Sequence, residues 1–307
     1  MNAPANEPAA AAPEAAPAAY PWRRLFYWSV RRELWENRSV YMAPLAMAAF
    51  GLIGILLSSF TLPHALRAIA AGDLSRSGHL MGPYSFAAAA ILLASFFVAI
   101  FYSLSALQGE RRDRSILFWK SLPVSDVMTV LSKAAIPMGA IPVVTVAIIF
   151  ATQLLILVWS TIVTLVNGID PTVLWSHVDL GLMWFMLPYG LLVNALWQAP
   201  VFAWFILVSG WAKRMPMLWA LAPFVAPAVI EYGAFHTGHV GHFVMERFLG
   251  GFGQAFSVEG EGTAPISNFR QVHPIDTLSS PDIWVGLAVA AALLAAAVWL
   301  RRRREPI

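Results

Sequence analysis

Cysteine is absent from this chain, which excludes a disulfide framework, a thiolate metal site and a cysteine nucleophile. Charge is nearly as scarce. Only 12% of the 307 residues are Asp, Glu, Lys or Arg, about half the share of a soluble globule. Lysine occurs three times, at 120, 133 and 213, and none follows a glycine. A phosphate loop of the Gly-Lys-Ser/Thr type is therefore excluded, and with it ATP hydrolysis of that kind by this polypeptide. No GxSxG or HExxH run occurs, and no apolar span holds a pair of carboxylates. The net charge of +3 is not gathered on a solvent-facing basic surface, so no nucleic-acid partner is expected.

What is present in quantity is apolar surface. The chain is 59% hydrophobic with a mean hydropathy of +0.65, and its 13 Trp and 19 Phe suit interfacial aromatic belts. A membrane-crossing helix needs about 20 apolar residues. Six such spans are predicted near 41–61, 84–107, 134–166, 180–209, 216–234 and 283–300. Pro137 and Pro142 predict a kink or tilt at the start of the third, which is longer than a bilayer requires. The expected class is all-α and polytopic, and no internal repeat is evident.

Residues 1–20, rich in Ala and Pro, have no basic n-region and no continuous apolar core. They read as a disordered tail rather than a signal peptide. Residues 21–40 alternate Arg23, Arg24, Arg31, Arg32 and Arg38 with Trp22, Leu25, Phe26, Trp28 and Leu34. That pattern predicts an amphipathic basic helix lying along the membrane surface. The transmembrane domain is placed at 41–300, followed by a basic tail at 301–307.

Basic residues fix the expected orientation. With both termini cytoplasmic, sixteen of the twenty Lys and Arg lie inside, and only Arg67, Arg76, Arg247 and Arg270 lie outside. The segment 108–133 then falls in the cytoplasm. It opens with Glu110, Arg111, Arg112, Asp113 and Arg114, continues through Ser115, Ile116, Leu117, Phe118, Trp119, Lys120 and Ser121, and ends on Lys133. A short amphipathic helix is predicted at about 111–121. Pro123 ends it, and Ser125 caps a fresh helix with Asp126 in its first turn. Such a helix outside a bilayer, with an apolar tip, suits docking to another protein. A solvated loop carrying a positive-inside cluster is the alternative.

Polar residues elsewhere are candidates for a pathway or for glue between helices: Gln153 in the third span, Asn194 and Gln198 four apart in the fourth, and Glu231 at the end of the fifth. The outer loop at about 235–282 begins with an aromatic, Gly-rich run able to dip into the outer leaflet. Irregular backbone at that depth has to be buried or to line a wet cavity. His236, His239 and His242, with Glu246, are weak metal candidates. Gly238 and Gly241 weaken a helix there, and the three rings would fan over roughly 120° at helical spacing, so interfacial packing is the plainer reading. An intramembrane enzyme using Glu231 and these histidines is a further, more remote class.

The run ERRDRSILFWKSLPVSDVMTVLSK resembles the cytoplasmic loop between the second and third helices of type-2 ABC exporter permeases. Six spans, inside termini, a basic surface helix and a large last outer loop extend the resemblance over nearly the whole chain. It implies a bacterial inner-membrane permease in which Glu110 to Asp113 and Ser115 to Ser121 form a coupling helix docked on a separate ATPase. Pro123 and Ser125 would form the elbow, and the 22–38 helix a second contact. It also implies ATP and Mg in the partner rather than in this chain, and two permease subunits per complex. Gly286 with Ala290 gives the sixth span one close-packing face of small residues. A non-transporting mechanotransmitter or scaffold in an ABC-type complex is the alternative function. The Ala/Pro tail has no counterpart in that family.

The 16-to-4 division of basic residues generates a direct test on a chain with no competing thiols. A cysteine placed at Ser121 is expected to be protected from an impermeant thiol reagent in intact cells, and one at Ser267 to react. Labelling in the reverse sense inverts the topology.

Overall fold

The computed structural model describes residues 21–73, 80–112, 124–178, 180–251 and 274–303. Every element among them is helical, and six helical stretches are long and apolar enough to cross a membrane. In chain order they are α1 (Trp22–Glu36), α2 (Ser39–Ser58), α3 (Leu62–Ala70), α4 (Gly82–Ser105) and α5 (Gln108–Arg112). Next come α6 (Asp126–Ala135), a π-helical turn (Ile136–Ala140), α7 (Ile141–Val166), α8 (Pro171–Trp175) and α9 (Leu180–Trp211). The last four are α10 (Pro216–Phe235), α11 (His239–Leu249), α12 (Pro274–Ser279) and α13 (Pro281–Arg303).

The expected kink in the third span takes a specific form. Pro137 has no N–H to give to the turn before it, and the chain widens into a π-turn that carries α6 into α7. Ser125 caps α6, its side chain accepting from the Met128 N–H at 3.2 Å.

α9 is the pillar of the bundle. At about 48 Å it is longer than a hydrocarbon core is thick. It packs against α4, α7, α10, α11 and α13. α2, α4 and α7 form a second packed group, and α13 lies along α9. Ala199 and Ala203 meet Ala290 between α9 and α13, so the two backbones approach closely. Polar side chains tie the spans together inside. Trp184 Nε1 donates to Gln153 Oε1 at 2.8 Å, and Thr145 Oγ1 donates to Ser95 Oγ at 2.8 Å. Gln153 is fully buried, so it joins α7 to α9 rather than lining an open path.

α10 is the exception to this packing, because Ala220 is its only buried residue. At its far end the chain reverses at His236, in the left-handed region at φ 55°, and α11 runs back alongside α10. Phe248, near the tip of α11, packs against Phe224 and Phe205 at centroid distances of 6.2 and 6.0 Å. Phe224 is the ninth of the twenty residues of α10, so α11 re-enters to past half the depth of that span.

Candidate functional site

Two polar assemblies stand out in a chain so poor in charge. The first lies where α1, the end of α4, α5, α6 and the ends of α9 and α13 converge. Lys133 on α6 is 4% exposed and sits between two carboxylates. Its Nζ is 2.9 Å from Glu33 Oε1 on α1 and 3.1 Å from Glu110 Oε1 on α5. Tyr102 donates to Glu33 Oε2 at 2.8 Å, and Arg32 Nη2 reaches Glu33 Oε1 at 3.0 Å. Glu110 is shared again, because Arg301 Nη1 on α13 pairs with its Oε2. Arg301 Nε closes the chain of charges on Asp126 Oδ1, at 2.9 Å, in the first turn of α6.

Isolated charges at such burial are prohibitively costly, and buried pairs persist where close geometry and additional hydrogen bonds offset the lost hydration. Burial alone would raise the Glu33 carboxyl. The Lys133 charge, with hydrogen bonds from Lys133, Tyr102 and Arg32, outweighs it and holds Glu33 below the ordinary carboxylate value. Three backbone contacts fasten the same region to the end of α9. Arg111 Nη1 donates to the Gly210 carbonyl at 2.8 Å, the Leu107 N–H to Ser209 Oγ at 3.1 Å, and Gln108 Nε2 to the Lys213 carbonyl at 3.3 Å.

Glu110 and Arg111 are expected to face a partner, and instead they turn inward. The Glu110 side chain is 10% exposed and Arg111 is buried. The reason is the 3.6-residue period, which points these side chains back at α6, α9 and α13. Arg112 is exposed. Asp113, Ser115, Ile116, Leu117, Phe118, Trp119, Lys120, Ser121 and Pro123 lie outside the described residues. The network thus clamps both flanks of that segment, Glu110 before it and Asp126 after it.

α1 buries Ser29 and Glu33 against the bundle and exposes Trp22, Tyr27, Trp28 and Trp35. Arg31 lies over the rings of Trp28 and Trp35, at 5.0 and 4.6 Å. A polar inner face with an aromatic outer one suits a helix lying at a membrane surface.

The second assembly is the seat of α11. A helix that ends inside a bundle leaves its last carbonyls without partners. Here α9 supplies them. Gln198 Nε2 donates to the Phe248 carbonyl at 2.7 Å, and Trp197 Nε1 to the Glu246 carbonyl at 3.3 Å. Asn194 comes so near Gly251 that a side chain at that glycine would collide with it. Gln198 and Asn194 are therefore supports for the re-entrant helix. Both also edge a cleft of about 330 Å³ whose other polar groups are Ser95 and Thr145.

Glu231 holds the other end of α11. Its carboxylate accepts from the His239 and Val240 N–H groups at 2.9 and 2.7 Å and from Thr237 Oγ1 at 2.8 Å. It caps a helix from the preceding one. His236, His239 and His242 do not converge. His242 pairs only loosely with Glu246, at 3.9 Å, on an exposed face. Among the described residues no three His, Cys, Asp or Glu are grouped to hold a metal ion.

Comparison with family models, with curated proteins and with solved structures finds no match to this chain.

The network generates the stability test. Lys133→Met leaves Glu33 and Glu110 buried without their shared cation, and is expected to cost about 3 kcal/mol. The Glu33→Gln/Lys133→Met pair should cost less than the sum of the singles, because the two sites are coupled. Thermal unfolding in detergent measures both. Because the folded Glu33 value lies below the ordinary 4.5, its contribution is present above that pH and is lost as pH falls through the folded value. Glu33→Gln should therefore flatten the acid side of the stability profile.

Proposed function

We propose that this chain is the transmembrane subunit of an ATP-driven exporter of the type-2 ABC class. Residues 113–123 are its docking element for a separate ATPase, and α1 is a second contact. The observation that carries this reading is the clamp on both flanks of that segment. Glu110 and Asp126 share Arg301, and Glu110 shares Lys133 with Glu33. A push delivered to residues 113–123 is passed at once to α1, α6 and α13, and through Arg111 to α9. Salt-bridged contacts of this kind transmit rigid displacement between packed elements.

ATP and Mg belong to the partner in this reading, since the chain has no phosphate loop. The membrane is the bacterial inner membrane, with the ionic end cytoplasmic in line with the positive-inside distribution. The sparsely buried α10, with Leu218, Val225, Val229 and Ile230 exposed, leaves a long face for a second permease subunit as well as for lipid. The alternative, a subunit that transmits force without transporting, draws support from the largely apolar lining of the 330 Å³ cleft, where Leu92, Leu93, Phe96 and Phe202 surround its few polar groups. Uptake by proteoliposomes containing both subunits separates the two: export predicts ATP-dependent flux, and transmission predicts none.

Phe118 and Trp119 are the expected anchors, because aromatics in water leave area unburied at about 25 cal/mol per Å², and partner grooves bury it. Phe118→Ala or Trp119→Ala should leave membrane insertion intact and weaken ATPase binding by about 2 kcal/mol, read by co-purification beside a folding control. Arg112→Ala should act more weakly, and chiefly at low salt. Full retention of the ATPase by both aromatic variants would remove the segment as the docking element.

A further inference from the structure

A cleft of about 720 Å³ opens between α9, α10, α11 and α13, on the other side of α9 from the smaller one. Its wall on α13 runs from Asp282 past Gly286 and Val289 to Leu293, about 16 Å at helical rise. The two ends differ in chemistry. Charge is confined to the Asp282 end, where Glu246 and Arg247 of α11 also line the cleft. Toward Leu293 the walls include Trp204 and Phe224.

Arg247 is unusual. It belongs to the re-entrant helix and is held beside the sixth residue of α13, about 7 Å below that helix's start. Its guanidinium lies 4.4 Å from the centroid of the Trp197 ring, and a side chain at Gly286 would collide with it. Trp197 fixes one face of the fork, and Asp282 and Glu246 act on it through space. Among the described residues no hydrogen-bond acceptor or ion-pair partner meets its N–H groups. Five donors placed at this depth call for an oxyanion, and a guanidinium fork matches phosphate geometry. A purely anionic head would also meet two carboxylates. A head that carries a primary ammonium beside its phosphate matches all three charges and, unlike a quaternary one, can donate hydrogen bonds to the carboxylates.

We infer that this cleft binds an aminophospholipid. Its phosphate sits on Arg247, its ammonium faces Asp282 and Glu246, and an acyl chain lies along Val289 and Leu293. The site requires only a bilayer around the protein and stands whether or not an ATPase docks at the opposite end.

Native mass spectrometry tests it on the full chain, delipidated in detergent and then offered equal amounts of phosphatidylethanolamine, phosphatidylglycerol and phosphatidylcholine. Phosphatidylethanolamine should be retained preferentially. Arg247→Gln should lower its retention about tenfold, the effect of losing a charge-assisted hydrogen bond. Asp282→Asn should shift preference toward phosphatidylglycerol. Leu293→Trp, which fills the apolar end and leaves the charges intact, should lower retention of all three lipids. Free phosphoethanolamine should not displace the bound lipid, which separates a lipid site from a simple phosphate site. Each variant is compared at an unchanged gel-filtration profile. Equal retention of the three lipids by the wild type, preference for phosphatidylglycerol, or retention unaffected by both Arg247→Gln and Leu293→Trp would overturn the inference.

Discussion

The buried position of Lys133 constrains the whole ionic end of this protein. An ammonium at 4% exposure cannot stand without counter-charges, and the two that meet it come from helices far apart in the chain. Once Glu33 and Glu110 are drawn in, each needs further donors, and Tyr102, Arg32 and Arg301 supply them. Arg301 then requires its own second partner, Asp126. Each charge obliges the next, and the result ties together α1, α5, α6 and α13 where their ends would otherwise be free to splay. Replacing such a network with apolar residues of similar volume can preserve stability. What an apolar patch does not provide is a unique register among several helix ends, which is a role best attested for buried polar groups.

The same economy governs the membrane interior. Polar side chains there join one helix to another more than they furnish a route through the bundle. Gln153 meets Trp184, Thr145 meets Ser95, and Gln198 with Trp197 receives the end of α11. The last case matters most for architecture. A re-entrant helix is possible only where its terminal carbonyls are answered, and α9 answers them with two side chains from consecutive residues. Glu231 answers the N–H groups at the other end.

Six spans, a helix at the N-terminus, a capped helix after Ser125 and a break at Pro137 were all legible in the sequence, because each rests on local rules of hydropathy, capping and proline geometry. The aromatic run after His236 reads from its composition as either re-entrant or interfacial, and composition alone does not choose between the two. The ion network was not legible. Glu33 and Lys133 are one hundred residues apart, and Glu110 and Arg301 farther still, so no window of sequence joins them. The polar character of Asn194 and Gln198 was visible and their role was not. A side chain that serves backbone carbonyls on another helix leaves no complementary residue type to search for. Glu110 and Arg111 show a related limit. Charge in a loop reads as exposed, yet one turn of helix is enough to point it inward when a counter-charge, as for Glu110, or a backbone carbonyl, as for Arg111, waits there.

α13 links the two assemblies physically. One end holds Arg301 in the ion network, and near the other Gly286 lies against Arg247 in the large cleft. Between them Ala290 and Ala297 are buried, and Ala290 packs on Ala199 and Ala203 of α9, with Leu287, Leu293 and Leu294 around that contact. α13 is an uninterrupted helix of 23 residues with no internal proline, so it can carry a displacement from one end toward the other. On the proposed reading, a force arriving at Glu110 and Asp126 therefore has a short mechanical path to the cleft, through a single rigid element rather than through a chain of side-chain rearrangements.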